Sequence, residues 1–292
     1  MWSPAAAAYL AARVEHVDAG DATLAVRRFG AGPTLLFVHG FPLHGFTWRH
    51  LLPTVAASFT CVVVDLAGLG DSQWTRATDF SFGGHARRLQ NIMTTVGASS
   101  YGVVAQDTGA TVARCLALLD RDHVRSLVLF NTEIPGHRPP WIREYQYLML
   151  LPGSALIFRQ LLRAHAFVRS GMGFGGCFGD LNKIDDEFAA HFVAPYIASA
   201  ERTDGLRRYL LGIDWTVIDG LKQRHAEIRQ PTLFIWGADD PTFPLPLAQA
   251  MAPQLPACRG VTAIPDTKLL VYEEAPDAVC RAMLPFLRET AA

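Results

Sequence analysis

Ala105-Gln106-Asp107-Thr108-Gly109 follows an apolar run at 101–105 and leads into a helical stretch at 109–119. A chain that turns sharply from strand into helix crowds its backbone two residues either side of the apex, so only small residues fit there. Ala105 and Gly109 meet that requirement and put Asp107 at the apex, in a strained conformation, with its side chain presented at the helix N-terminus. The helix dipole favours an ionised carboxylate there. Such a group can attack an electrophilic carbon and form an ester. The simpler alternative is an aspartate that only caps the helix.

Outward from this turn, 34–38, 61–65, 101–105 and 126–130 are short runs of Val, Leu and Phe, and 22–29 alternates loosely. Runs of this kind suit strands buried on both faces. Helical stretches at 83–96 and 109–119 lie between them. The alternation predicts an α/β fold, a mostly parallel central sheet with helices on both faces. Right-handed crossovers then gather the strand C-termini on one edge, where ligands bind. After Asn131 the alternation stops: Pro139-Pro140 opens a region of helices and loops that includes a glycine-rich loop at 171–179. The sheet pattern returns at 232–236, with a helix at 245–251, a last strand near 261–264 and a terminal helix from Ala275. The expected organisation is a core of 1–134 and 226–292, with 135–225 inserted as a helical lid over the strand ends.

The chain has 292 residues, half of them hydrophobic and 18% charged, with a net charge of −1. A near-neutral balance gives no electrostatic reason to expect nucleic acid or membrane as a partner. No apolar run reaches the roughly 18 residues that span a bilayer. The apolar segment 5–12 lacks a preceding Lys or Arg and begins after Pro4, so it reads as a short lead-in helix or strand and not a signal peptide. Cys61, Cys115, Cys177, Cys258 and Cys280 match neither a disulfide framework nor a zinc site and read as buried, reduced thiols of a cytoplasmic protein. The histidines show no metal-ligand spacing, so neither a metal nor another cofactor is expected. The expected partner is a small-molecule substrate, with a homodimer left open.

His39-Gly40-Phe41-Pro42 follows the strand at 34–38. The N–H groups of Phe41 and Thr108 would form a two-donor anion hole. Together with Asp65-Leu66-Ala67-Gly68-Leu69-Gly70-Asp71-Ser72 and Trp236-Gly237-Ala238-Asp239-Asp240, these motifs mark a chain that resembles the α/β-hydrolase fold superfamily over nearly its whole length. The aspartate at the elbow is most similar to the haloalkane dehalogenase and epoxide hydrolase branch. That resemblance implies a nucleophile at Asp107, an acid at Asp240 or, after the strand preceding the lid, at Glu133, and a histidine base. The base position, seven residues before Pro276, is Leu269, beside Lys268, and no histidine occurs after His225. Lys268 either pairs with Asp240, replaces the base or is a plain exposed lysine, and His137, His165 and His191 of the lid are further candidates for a base or simple packing and surface residues. The expected pocket wall includes His39, Trp141, Tyr145 and Leu269.

The substrate signals are subtractive. Dehalogenases of the branch usually carry Trp after the nucleophile and often Asn in the HGFP loop, where this chain has Thr108 and Phe41. Fluoroacetate dehalogenases carry arginines just after the nucleophile, where Thr108 and Thr111 stand. Epoxide hydrolases use lid tyrosines, for which Tyr145, Tyr147, Tyr196 and Tyr209 are available. The Gly171–Gly176 spacing mimics a dinucleotide loop but follows no strand, so phosphate binding is not expected. The leading expectation is an aspartate-dependent hydrolase, epoxide hydrolase- or dehalogenase-like, acting on a small apolar molecule. The alternatives are an isomerase or cyclase on the same fold, and a ligand-binding pseudoenzyme.

Overall fold

The computed structural model describes residues 2–291. One sheet holds β1 (Glu15–Asp18), β2 (Ala22–Phe29), β3 (Thr34–Val38), β4 (Thr60–Val64), β5 (Gln73–Trp74), β6 (Tyr101–Gln106), β7 (Val124–Phe130), β8 (Thr232–Gly237) and β9 (Cys258–Ile264). Its order is β1-β2-β4-β3-β6-β7-β8-β9, with β5 against β2. From β4 to β9 every neighbouring pair is parallel. β1, β2 and β5 add an antiparallel margin. The fold is therefore the expected α/β architecture, and the predicted runs fall within a few residues of the observed strands. Two strands are additions to the sequence reading. β1 is Glu-His-Val-Asp with alternating partial exposure, and β5 has only two residues, so neither carries an apolar run.

The centre of the sheet is where the sequence is most apolar. Every residue of β6 and β8 is buried, because helices cover both faces of a parallel sheet. Helix Phe82–Thr95 begins at Ser81, whose side chain accepts from the Gly84 N–H. Helix Thr108–Leu119 buries Ala110, Val112, Ala113 and Leu116, each larger side chain contributing about 1.5–3 kcal/mol by leaving water. Pro276 opens the last helix, Pro276–Thr290, which presents Val279, Met283, Phe286 and Leu287 to the core. The N-terminal lead-in is helix Pro4–Ala11, capped by Ser3.

Among the described residues no strand lies between β7 and β8. That stretch holds helices Ile142–Leu150, Ser154–Leu162, His165–Val168, Asp186–Phe192, Ala194–Ala198, Ala200–Leu211 and Trp215–Arg224. The five cysteines are free, two of them buried and three partly so, against the expectation that all are buried.

Candidate active site

β6 ends at Gln106, and Asp107 turns the chain at φ 52°, ψ −134° before helix Thr108–Leu119 begins. A left-handed conformation is costly for a residue with a Cβ. The surroundings hold it in place. The Asp107 N–H donates to the Asn131 carbonyl at 2.9 Å, and the Thr132 hydroxyl donates to the Asp107 carbonyl at 2.9 Å. Gly109 sits so close to β3 that a Cβ there would lie 2.2 Å from the His39 carbonyl oxygen. Gly40 is equally confined: its added Cβ would meet the Asp107 Cβ at 2.4 Å. The two glycines let the turn and the HGFP loop touch.

The Phe41 N–H, which the loop directs at the turn, donates to Asp107 Oδ1 and to Thr108 Oγ1, both at 3.0 Å. The Thr108 hydroxyl also shares a 3.0 Å hydrogen bond with the hydroxyl of Tyr209, from helix Ala200–Leu211. Tyr209 further stacks on Phe41, with ring centroids 5.7 Å apart. Of the two N–H groups expected to form an anion hole, that of Phe41 is directed at a carboxylate oxygen of Asp107 itself. Asp107 does not cap its helix through a side-chain hydrogen bond.

Asp107 opens on a cavity of about 340 Å³, at the small end of the roughly 300–1,000 Å³ typical of small-molecule sites. Phe41, Thr108, Glu133, Tyr145, Cys177 and Leu269 are among its walls, with Trp141, Pro139, Met149, Phe158, Leu210 and Phe243 making most of the rest apolar. Of the expected pocket residues, Trp141, Tyr145 and Leu269 line it. His39 does not. It is fully buried, with Nδ1 2.9 Å from the Gly40 carbonyl and Nε2 accepting from the Leu66 N–H at 2.9 Å. Burial brings its pKa down to about 4, so it is a neutral ring that ties the HGFP loop to the β4 turn.

The carboxyls divide into two settings. Burial first, and then the neighbouring Glu133, push Asp107 well above the usual carboxyl range, against the pull of the Thr108 and Phe41 N–H groups. Burial also raises Glu133. Its Oε2 accepts from the Thr111 hydroxyl at 2.6 Å and from the Thr132 hydroxyl at 3.0 Å. Behind it, Arg114 donates to Thr111 Oγ1, Thr132 Oγ1 and the Glu133 carbonyl at 2.8–3.0 Å. This buried cation partly offsets the Glu133 carboxyl in a dry place. Its one sequence signal is a lone arginine in the apolar run at 108–119.

Asp240 follows β8 and is not among the cavity walls, although Pro241, Thr242 and Phe243 are. Its Oδ2 accepts from Asn131 at 2.7 Å and its Oδ1 from the Thr242 N–H at 2.8 Å. Burial raises it to about 6. Asn131 reaches it because its own Oδ1 accepts from the Gly237 N–H, pinning β7 to β8.

No histidine lines the cavity among the described residues. His137 contacts the Thr242 carbonyl at 2.8 Å, His165 is exposed, and His191 stacks on Phe46 at 3.9 Å. None of these three histidines is therefore at the cavity wall. Lys268 makes no ion pair with Asp240 among the described residues; its N–H donates to Glu274 at 2.8 Å. Leu269 fills the expected base position as an apolar wall, 6% exposed. The loop that carries it is held against β8, since the Asp239 N–H donates to the Thr267 carbonyl at 2.9 Å. Of the tyrosines, Tyr145 lines the cavity with its hydroxyl on the Met172 carbonyl. Tyr196 donates to the Pro42 carbonyl at 2.7 Å, and Tyr147 is 60% exposed. The glycine-rich loop contributes Gly171, Met172 and Gly173 to the cavity wall.

A family model for the alpha/beta hydrolase fold matches residues 33–277. Haloalkane dehalogenase 2 of Mycobacterium tuberculosis is 24% identical over 261 residues, covering 87% of this chain and 88% of that one. Epoxide hydrolase 3 of Xenopus tropicalis is 23% identical over 293 residues, 95% of this chain and 75% of that one. Among solved structures, a haloalkane dehalogenase from Bradyrhizobium elkani USDA94 superposes with a TM-score of 0.77 at 25% identity, over 95% of this chain and 98% of that one.

Proposed function

The chain belongs to the α/β-hydrolase fold family, and we propose that it opens a small, apolar epoxide through an ester formed on Asp107 beneath a lid made by 135–225. The observation that carries this reading is the Asp107 carboxyl on the floor of an apolar cavity. Its Oδ1 rests on the Phe41 N–H, which leaves Oδ2 for a substrate. In the first step Oδ2 bonds to a ring carbon while that carbon's bond to oxygen breaks. The ring oxygen leaves with the electron pair and takes the proton of the Tyr145 hydroxyl, which turns to it from the Met172 carbonyl. In the second, water adds to the ester carbonyl, its oxyanion held by the Phe41 and Thr108 N–H groups. Collapse of that intermediate breaks the bond from Oδ2's carbonyl carbon to the product oxygen, which takes the second proton of the added water and leaves Asp107 a carboxylate, while the first proton returns to Tyr145 by way of a base.

With Leu269 at the family's base position, Glu133 is the carboxylate of the cavity wall left for that task. It is weaker and indirectly placed, so ester hydrolysis limits turnover and the ester accumulates. Relatives named as epoxide hydrolases and haloalkane dehalogenases support the reaction class. Thr108 and Phe41, standing where dehalogenases carry halide donors, favour the epoxide. Intact-protein mass spectrometry against epoxide and alkyl halide panels tests the proposal. A covalent adduct with epoxides, absent in Asp107→Asn, is expected; fast turnover with no adduct, or adducts only with halides, contradicts it.

A second reading draws on the raised Asp107 and Glu133 carboxyls. A protonated Asp107 would give its proton to the ring oxygen, and a carboxylate would take one from the neighbouring carbon, yielding an unsaturated alcohol of unchanged mass. Product of the substrate's mass, with no oxygen taken from water, would select this isomerase reading over the hydrolase.

A further inference from the structure

Helices Ile142–Leu150 and Ser154–Leu162 meet at a three-residue corner, Leu151-Pro152-Gly153. The side chains around it are apolar and outside: Tyr147, Leu150, Leu151, Leu156 and Ile157 are each 54–62% exposed. Tyr147 and Leu150 share one face of the first helix with Arg143, and Leu156 shares a face of the second with Gln160. Scattered exposed apolar residues are ordinary, but a contiguous group marks a surface with a partner. Trp141 and Met172, about 45% exposed and also part of the cavity wall, carry the patch to the cavity mouth.

Charge identifies the partner. Residues 142–169 hold four arginines, Arg143, Arg159, Arg163 and Arg169, against the single acid Glu144, although the whole chain is near neutral. The expectation of no membrane partner came from that whole-chain balance, which averages away a local surplus. Arg143 and Arg163 are exposed. They stand seven residues before Leu150 and six after Ile157, about 10 Å back along each helix. An apolar tip with cations that far behind it matches an element sunk about 5–10 Å into a lipid interface, its arginines at headgroup level. A second copy docked about a two-fold axis would set Arg143 and Arg163 among their own equivalents.

We propose that this corner seats on a bilayer bearing anionic lipids, turning the Trp141–Met172 mouth towards the apolar phase. No helix is long and apolar enough to cross a membrane; the protein lies on the surface. The assignment stands apart from the reaction at Asp107. Co-sedimentation of the full chain with vesicles of phosphatidylcholine alone, or mixed with phosphatidylglycerol, tests it. Arg143 and Arg163 against the exposed Glu144 leave one net positive charge at the corner, which implies roughly 5-fold tighter partition to the anionic vesicles, weakening with salt. Leu150→Ser with Ile157→Ser is expected to lower partition at least ~10-fold at unchanged melting temperature. Should that variant fold poorly, Arg143→Gln with Arg163→Gln must abolish the preference for anionic vesicles. Equal binding to both vesicles, wild-type binding by either variant, or a dimer in light scattering that the serine variant dissociates would overturn the proposal.

Discussion

Replacing Leu269 by histidine puts an imidazole on the cavity wall where the family's base stands. Leu269 is 6% exposed, and its loop is held to the end of β8 beside Asp240. The new ring would therefore meet a carboxyl already raised to about 6 by burial, and the pair would stabilise each other's charged forms. A positioned general base contributes about 10²–10⁴-fold, or roughly 3–5 kcal/mol of barrier. Decay of the Asp107 ester is expected to accelerate by about 100-fold or more. Exchange of a packed leucine for a polar ring costs about 1–3 kcal/mol of stability, which a thermal melt reads separately. The assay is intact mass against time after excess epoxide is removed. Leu269→Ala is the control, because it admits water without adding a base. If Leu269→His folds but its adduct decays within about twofold of wild type, or Leu269→Ala speeds decay equally, the reasoning from a missing base is refuted.

Ester formation needs the Asp107 carboxylate, and burial raises its pKa well above the ordinary range; the single-turnover rate should keep climbing with pH above the range where an ordinary carboxyl titrates, whereas a rate that falls with pH supports proton donation. Asp240 is protonated in both folded and unfolded chains below pH ~4 and ionised in both above about 6. Its burial therefore removes roughly 3 kcal/mol of stability between those limits as pH rises. Urea melts of Asp240→Asn should gain that amount relative to wild type from pH 4 to 7; a pH-independent difference contradicts the burial argument. Gly109→Ala forces a Cβ to 2.2 Å from the His39 carbonyl and should lower stability by about 2 kcal/mol or more with loss of the adduct. A wild-type melt for that variant means the turn is looser than described.

The elbow was legible in the sequence because its constraint is steric and local: small residues at 105 and 109 leave one place for Asp107. Leu269 came from the resemblance and not from sterics, its position counted back from Pro276, and the structure shows it on the cavity wall. The Arg114–Thr111–Thr132–Glu133 network was not, since it joins one turn of a helix to the end of the next strand and shows only as an isolated charge among apolar residues. His39 was misplaced because a histidine beside a strand end looks like a site residue, and only the fold brings the Leu66 N–H to its ring. β1 and β5 lie at a solvated sheet margin, where residues need not be apolar. The patch around Leu150 and Ile157 escaped because the apolar residues of an amphipathic helix look the same in sequence whether they face a core or solvent.

A single turnover in oxygen-18 water, followed by mass analysis of the Asp107 peptide, tests the central claim most directly. Hydrolysis through an ester leaves the heavy oxygen in the Asp107 carboxyl and gives a first product whose new hydroxyl oxygen came from the protein. Heavy oxygen found only in the product, with none in Asp107, would mean that water attacks the substrate directly and that this carboxyl is not the nucleophile.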